Sequence, residues 1–321
     1  MPADIDEVCF KLRDLLEEAV KNNPAEGLLL SGGLDTSILA VIASKFVSLK
    51  SVTVAFQNSS APDVGYAVLL ANKLRLEHII HVFNEDELYD AIAMVVKTMK
   101  SFDPMEIRNS VTIYVGLKVA KENGISTIMT GDGSDELLAG YSFLFGLERE
   151  KLDLELKKMW NVMVFSSLPL AKTLGIEAKL PYLEQDFKDF AMKLDPQYKI
   201  QTENGRTYGK WILRKAFEKN LPREVAWRVK TPIEYGSGTT ILPTFFNEKI
   251  SDTEFDEKKR RYFTQDKVTI RDKEQLFYYE TYRSSIGVPH PTNLKGRTCP
   301  QCNTNITENA TYCRTCGAYP L

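Results

Sequence analysis

The sequence predicts an α/β fold: a doubly wound, mostly parallel sheet with a helical C-terminal part and a small four-cysteine module. Three observations predict it. Short apolar runs alternate with amphipathic stretches through the first 130 residues, the rhythm of strands joined by crossover helices. Two glycine-containing loops each follow an apolar run and open a helix, the place where parallel sheets hold ligands. Four of the five cysteines, Cys299, Cys302, Cys313 and Cys316, stand close together as two CxxC pairs, which is a metal-ligand spacing.

Residues 4–22 carry Ile5, Val8, Leu12, Leu15, Leu16, Ala19 and Val20 at spacings of three and four, and read as an amphipathic helix. Gly27-Leu28-Leu29-Leu30 is a strand, Ser31 to Ser37 a glycine loop, and an apolar helix runs on to about Val47. Ser51 to Phe56 is a second strand, Asp63 to Arg75 a helix, and His78 to Phe83 a third strand. Helices fill 85–100 and 105–123, and Ser126-Thr127-Ile128-Met129-Thr130 is a fourth strand. From Tyr141 to about Asn220 the pattern is mostly helical, interrupted at Leu180-Pro181-Tyr182-Leu183. Residues 251–275 carry charges of both signs, including Lys258-Lys259-Arg260-Arg261, and read as a solvated helix face. Phe277, Tyr278, Tyr279 and Tyr282 are core aromatics of a helix around 275–285. A Pro/His/Asn linker over 288–293 leads to the cysteines, so two domains are expected, residues 1–290 and residues 295–321.

The 321 residues are 43% hydrophobic and 26% charged, which is ordinary for a globular enzyme and excludes disordered and fibrous classes. A net charge of −2 supplies no global field for nucleic acid or anionic lipid. No apolar run is long enough to span a bilayer, and Met1-Pro2-Ala3-Asp4 lacks the character of a signal peptide. A cytoplasmic protein with no membrane contact is expected. Cys9, on the apolar side of the first helix, reads as a buried structural thiol, and His78 and His81 as structural histidines.

Chemistry concentrates in the two loops. Ser31-Gly32-Gly33-Leu34-Asp35-Thr36-Ser37 offers backbone N–H groups and hydroxyls at the positive end of a helix dipole, a cradle for phosphate. Asp35 in such a cradle calls for a cation as well, and Mg²⁺ binds through one or two carboxylates plus phosphate oxygens. No GxxxxGK[ST] string is present, so γ-phosphoryl transfer of the Walker type is not expected. The second loop, Thr130-Gly131-Asp132-Gly133-Ser134-Asp135-Glu136, packs three carboxylates into five residues, which repel unless a metal or cationic group compensates them.

The first loop resembles the PP-loop of ATP pyrophosphatases, which adenylate an acceptor and release pyrophosphate. The second, continuing Leu137-Leu138-Ala139-Gly140-Tyr141, resembles the signature of asparagine synthetases. So do Glu177-Ala178-Lys179-Leu180-Pro181-Tyr182-Leu183-Glu184, Arg108-Asn109-Ser110, Leu213-Arg214-Lys215 and Arg228-Val229-Lys230. Lys179 stands where the family has Arg, and Glu184 where it has Asp. The resemblance runs from about Gly27 to Gly238. It implies the adenine nucleotide alpha hydrolase-like fold, with ATP and Mg²⁺ as nucleotide and metal. Ser31, Gly32, Gly33, Thr36 and Ser37 would hold pyrophosphate, and Asp35 and Asp135 Mg²⁺. Leu30 would lie at adenine, and Gly131, Gly133 and Ser134 would line the nucleotide. Lys230 would neutralise charge at the α-phosphate, and Asp132 (Glu in many members) and Glu136 would handle protons.

The resemblance further implies an amidoligase that adenylates a carboxylate, aspartate first, for attack by ammonia. Asparagine synthetases of this type begin with a glutaminase domain, and here Ser31 already opens the first loop. Nitrogen is therefore expected from free ammonia, a separate glutaminase subunit or an amine substrate. A second reading keeps adenylation but directs it at a tRNA nucleotide or carrier protein docked by the cysteine module, and a third is a scaffold without catalysis. The module itself reads as a zinc ribbon with one closed, structural Cys₄ site for Zn²⁺, and Lys295, Arg297 and Arg314 make it mildly basic, a surface for tRNA or a protein.

Overall fold

In the computed structural model, which describes residues 4–321, the alternating runs become five strands: β1 (Gly27–Leu29), β2 (Lys50–Phe56), β3 (Glu77–Phe83), β4 (Thr127–Met129) and β5 (Glu177–Lys179). Their spatial order is β3-β2-β1-β4-β5. Strand β1 is parallel to β2 and to β4, and β4 is parallel to β5, with Gly27 opposite both Lys50 and Ile128 and Ile128 opposite Ala178. Leu28, Val52, Ile128 and Met129 are all buried, as expected where a parallel sheet is covered on both faces. The chain winds outward from β1 to β3 and then returns to the other side of β1 for β4 and β5. Strand order thus reverses between β1 and β4, and the loops leaving these two strands emerge side by side at the switch point.

The first helix, Ile5–Asn22, starts at Asp4, whose carboxylate accepts the Asp6 N–H. It buries Val8, Cys9, Leu12, Leu16, Ala19 and Val20, the face its spacing predicts. Truncating Leu12 or Leu16 to Ala would cost about 2–5 kcal/mol. The helix after the first loop, Leu34–Ala43, ends earlier than its apolar run suggests. Lys45 and Phe46 donate to carbonyls three residues back, Ile42 and Ala43, and the Ser44 hydroxyl donates to Val41. These local bonds tighten the chain out of the helix.

The stretch from 141 to 220 is mostly helical, as its pattern predicts, but it is not helical throughout. It contains β5 and an antiparallel hairpin, β6 (Ile200–Glu203) and β7 (Arg206–Gly209). Strand β5 reads Glu-Ala-Lys, which has no strand preference of its own; pairing with β4 imposes it. The hairpin turns at Asn204-Gly205, both with positive φ (54° and 76°), the pair that a two-residue primed turn requires.

By its internal contacts the chain divides into two compact units: Met1–Val54 with Pro62–His81 and Gly116–Pro232, and Ala55–Ala61 with Val82–Val115 and Ile233–Leu321. The second unit has its own aromatic core. Phe246 stacks on Phe277 at 4.7 Å, Phe102 meets Tyr279 edge-on at 5.1 Å, and Tyr278, Tyr279 and Tyr282 are buried. Its charged stretch forms the helix Asp252–Asp266 with Asp252, Asp256, Glu257 and Arg260 exposed. Among the described residues no helix is long and apolar enough to cross a membrane.

Candidate active site

The first unit contains both signature loops. Leu30 continues β1: its N–H donates to the Val52 carbonyl and its own carbonyl accepts from Thr53 Oγ1. Gly32 follows at φ +68°, and a Cβ there would fall 2.5 Å from the Ala67 nitrogen and 2.8 Å from the Asp63 oxygen. Only glycine fits that close approach. Ser31 and Thr36 brace the turn. Their hydroxyl oxygens lie 3.0 Å apart, the Ser31 N–H donates to Thr36 Oγ1, and the Gly33 N–H donates to Ser31 Oγ. The helix Leu34–Ala43 then starts at Gly33 with no side chain capping it. The Ser37 hydroxyl in its first turn is fully buried and has no partner.

The second loop folds against this turn. Gly131 abuts Asp35 and Thr36, and Ser134 Oγ donates to Asp35 Oδ1 at 2.8 Å. Lys210 joins the two acids. Its ammonium lies 2.9 and 2.7 Å from the Asp35 carboxylate oxygens and 2.7 Å from Asp135 Oδ1. Lys230 reaches the other oxygen, Asp135 Oδ2, at 2.5 Å. Asp135 Oδ1 is buried and, despite its ion pair with Lys210, receives no aligned hydrogen bond. Gly140 makes this density possible, because a Cβ there would lie 1.8 Å from Asp135 Oδ1.

Around this core, Asp132 Oδ2 accepts from Thr130 Oγ1 and from the Ser167 hydroxyl. Glu136 Oε1 accepts the Tyr141 hydroxyl at 2.5 Å, and its carbonyl accepts the Trp160 indole N–H. Arg228 clamps the first loop from outside. One guanidinium nitrogen donates to the Gly32 carbonyl and the other to Asp63 Oδ1, while the plane lies 4.0 Å over the Tyr66 ring.

Burial and charge divide the carboxylates into two kinds. Burial would raise the Asp135 carboxyl, but Lys210 and Lys230 more than reverse it and hold the group well below the usual carboxylate range. Burial pushes Asp132 up, with the Asp135 and Asp35 charges adding to it. Burial likewise raises Glu136, again with Asp135 adding. Burial alone would lower Lys230; Asp135 and Asp35 instead lift it to about 12. Proton affinity is thus lowered at Asp135 and raised at Asp132 and Glu136 within one cluster.

These groups suit a polyphosphate and a hard cation. An uncapped helix start and an orphan hydroxyl face an anion's needs, and two carboxylates with an unbonded oxygen offer the oxygen donors Mg²⁺ prefers. The structure brings together Ser31, Gly32, Gly33, Asp35, Thr36, Ser37, Gly131, Asp132, Gly133, Ser134, Asp135, Glu136 and Lys230. Leu30 adjoins them with its backbone engaged in the sheet. Sequence reading did not single out Lys210, Asp63 or Ser167. Arg228 had a signal, the Arg-x-Lys spacing that places it two residues from Lys230. Lys210 had none: it precedes an ordinary helix, Trp211–Phe217.

A separate cluster stands in the second unit. The four sulfurs of Cys299, Cys302, Cys313 and Cys316 all lie within 4.8 Å of one another and are buried. The Cys299–Cys316 and Cys302–Cys313 sulfurs are 3.7 and 3.6 Å apart. A tetrahedral ion with bonds of about 2.3 Å sets its sulfurs about 3.8 Å apart, so the thiols are spaced for one. The segment is bonded to its own unit. Phe102 N–H donates to Thr315, Ser101 Oγ to Arg314, and the Arg271 and Gln275 side chains to the Cys316 carbonyl.

The chain is similar in sequence to known proteins. The family model for asparagine synthase matches residues 11–163 and 169–276. Asparagine synthetase B (glutamine-hydrolyzing) of Escherichia coli (strain K12) is 31% identical over 307 residues, 87% of this chain and 54% of that protein. A probable asparagine synthetase (glutamine-hydrolyzing) of Schizosaccharomyces pombe is 31% identical over 284 residues, 76% of this chain and 50% of its own. The chain thus spans about half the length of the curated relatives it matches. A solved NMN synthetase from Francisella tularensis, 17% identical, overlaps 71% of this chain and 98% of its own at a TM-score of 0.32, too slight a likeness to bear on the reading.

Proposed function

The chain belongs to the asparagine synthase family, and from that premise we propose that it is an ATP-dependent amidoligase that activates a carboxylate, aspartate first, for attack by ammonia. The observation that carries this is the junction of the two loops, with Asp35 and Asp135 2.7 Å from one ammonium. In this reading residues 1–290 are the synthetase domain and 295–321 a zinc ribbon. A carboxylate oxygen of the acceptor bonds to the α-phosphorus of ATP, and the bond to the bridging oxygen breaks with pyrophosphate leaving. Ammonia then bonds to the acyl carbon and AMP leaves, giving the amide.

The chain's own groups have distinct tasks. Ser31, Gly32, Gly33, Thr36 and Ser37 hold the β and γ phosphates with N–H groups and hydroxyls. Gly131, Gly133 and Ser134 close over the nucleotide, with Leu30 beside its base. Asp35 and Asp135 would hold Mg²⁺, which supplies charge neutralisation at the phosphate oxygens. Lys230 stabilises charge developing at the α-phosphate, an effect worth a few kcal/mol for a preorganised donor. Asp132 and Glu136 take the protons that ammonia sheds on attack, consistent with their raised proton affinity. Asp132 is shorter than the Glu of many members, and Ser167 and Thr130 fix the oxygen that bonds them.

The relatives are glutamine-hydrolyzing by name; for this chain a glutaminase is the partner class that would supply the ammonia. The four cysteines would hold Zn²⁺ in a closed structural site, with tRNA or a protein as the surface contact of the ribbon. The test is exchange of labelled pyrophosphate into ATP, with aspartate, other amino acids and bulk tRNA offered in turn. Aspartate-dependent exchange that vanishes in Asp35→Ala is the expected result. Exchange that requires tRNA would replace the acceptor, and no exchange with any of them would sink the proposal.

A further inference from the structure

Lys210 is 2% exposed, a depth at which lysine is seldom found without a fixed counter-charge. Its backbone sits in the left-handed region at φ +54° and its N–H bonds to the Leu138 carbonyl, so the residue is held at both ends. Its ammonium faces Asp35 on one side and Asp135 on the other, while Lys230, with 31% of its side chain exposed, reaches only Asp135. At Asp35 and Asp135, therefore, two carboxylates stand against two ammonium groups, and this pair of acids is balanced as folded.

We propose that Lys210 is a resident counter-cation that bars a lone divalent ion from Asp35 and Asp135 and admits one only in company with a polyphosphate chain; this rests on the nucleotide reading of the same loops. A lone divalent ion would set two further positive charges against Lys210 and Lys230 at a pair of acids already balanced by them, repelling at close range where solvent screening is weak. A polyphosphate brings its own negative oxygens. Lys210 can then turn its N–H bonds to those oxygens, and the carboxylates it releases, including Asp135 Oδ1, which it ion-pairs without an aligned hydrogen bond, become available to the ion. Lys210 is thus a positioning residue that sets the order of binding. The metal and the nucleotide enter as one unit.

The probe is Mn²⁺, followed by the electron paramagnetic signal of the unbound ion, with the full-length chain. Only binding lost in Asp35→Asn is counted, which removes any contribution from the cysteine cluster. The free wild type should show no such binding at millimolar Mn²⁺, and α,β-methylene ATP should produce it. Lys210→Gln should bind Mn²⁺ without nucleotide, at least about tenfold tighter than wild type; a merely structural role would not create affinity. The proposal is overturned if the free wild type binds Mn²⁺ as tightly as with the analogue, or if a folded Lys210→Gln gains nothing. Should Lys210→Gln not fold, the wild-type pair of measurements decides. Failure of the analogue to bind at all is a separate result: it strikes the nucleotide reading and leaves the Lys210→Gln gain to judge the counter-cation.

Discussion

Lys199 and Lys210 are both almost wholly buried in the first unit, at 1% and 2% exposure, yet they have opposite surroundings. Lys210 is wrapped by two carboxylates. Lys199 lies 4.8 Å over the Trp160 ring, beside the small apolar cluster of Leu144, Leu152 and Leu156 that Trp160 and Ile200 adjoin. Burial lowers the Lys199 pKa to about 7, with the charges of Asp153 and Asp195 only partly opposing. Depth alone disfavours an ammonium group; what differs is whether the fold delivers counter-charge to it. The charge at 210 is part of a balanced site, and the charge at 199 is a load on stability.

The contrast can be broken or sharpened by substitution. The largest effect is expected from Lys210→Met, which leaves Asp35 without its ammonium partner and Asp135 with Lys230 alone and should cost about 3–5 kcal/mol; an unchanged urea midpoint would mean that the two acids do not need this ion pair. Lys230→Met should next reduce pyrophosphate exchange by about 10²–10³-fold while moving the urea midpoint far less than Lys210→Met, since its side chain is 31% exposed. Equal losses of stability in the two variants would erase the distinction between them.

Lys199→Met should act in the other direction, raising stability by about 1–3 kcal/mol at pH 6–7. The sign follows from its lowered pKa. From about pH 7 up to the ordinary lysine range the unfolded chain keeps a proton that the folded chain has released, so wild-type stability from this group rises with pH. The gain from Lys199→Met should therefore shrink as pH approaches 10, and a gain independent of pH would show that Lys199 is not the group responsible. The smallest effect is expected from Trp160→Phe. It removes the indole donor to the Glu136 carbonyl and should cost about 1 kcal/mol, with a lower pKa for Lys199, readable by NMR, as the ring beneath it weakens.

Much of the fold was legible because its signals are local. The spacing of Val8, Leu12, Leu16 and Ala19 reports a helix face, and the run ending in Met129 reports a buried strand. The Asn204-Gly205 pair is a turn signal in itself, yet the helical pattern on either side of it hid the two strands it joins. Strand β5 was not legible. Glu177, Ala178 and Lys179 are extended because β4 offers them partners, a fact absent from their own composition. At the site, the glycines and acids of both loops declared themselves through types that are expensive to place elsewhere. Lys210, Asp63 and Ser167 did not, because a lone lysine, aspartate or serine is ordinary until its neighbours are known.

The sequence by itself determined the strand, loop and helix rhythm, the two glycine turns and the paired cysteines, because periodicity, positive-φ chemistry and ligand spacing act over a few residues. Tertiary structure alone decided that Ser134 bonds to Asp35 across 99 residues and that Lys210 reaches the same carboxylate across 175. Electrostatic pairing depends on distance through space, and strand order, not neighbouring sequence, sets that distance.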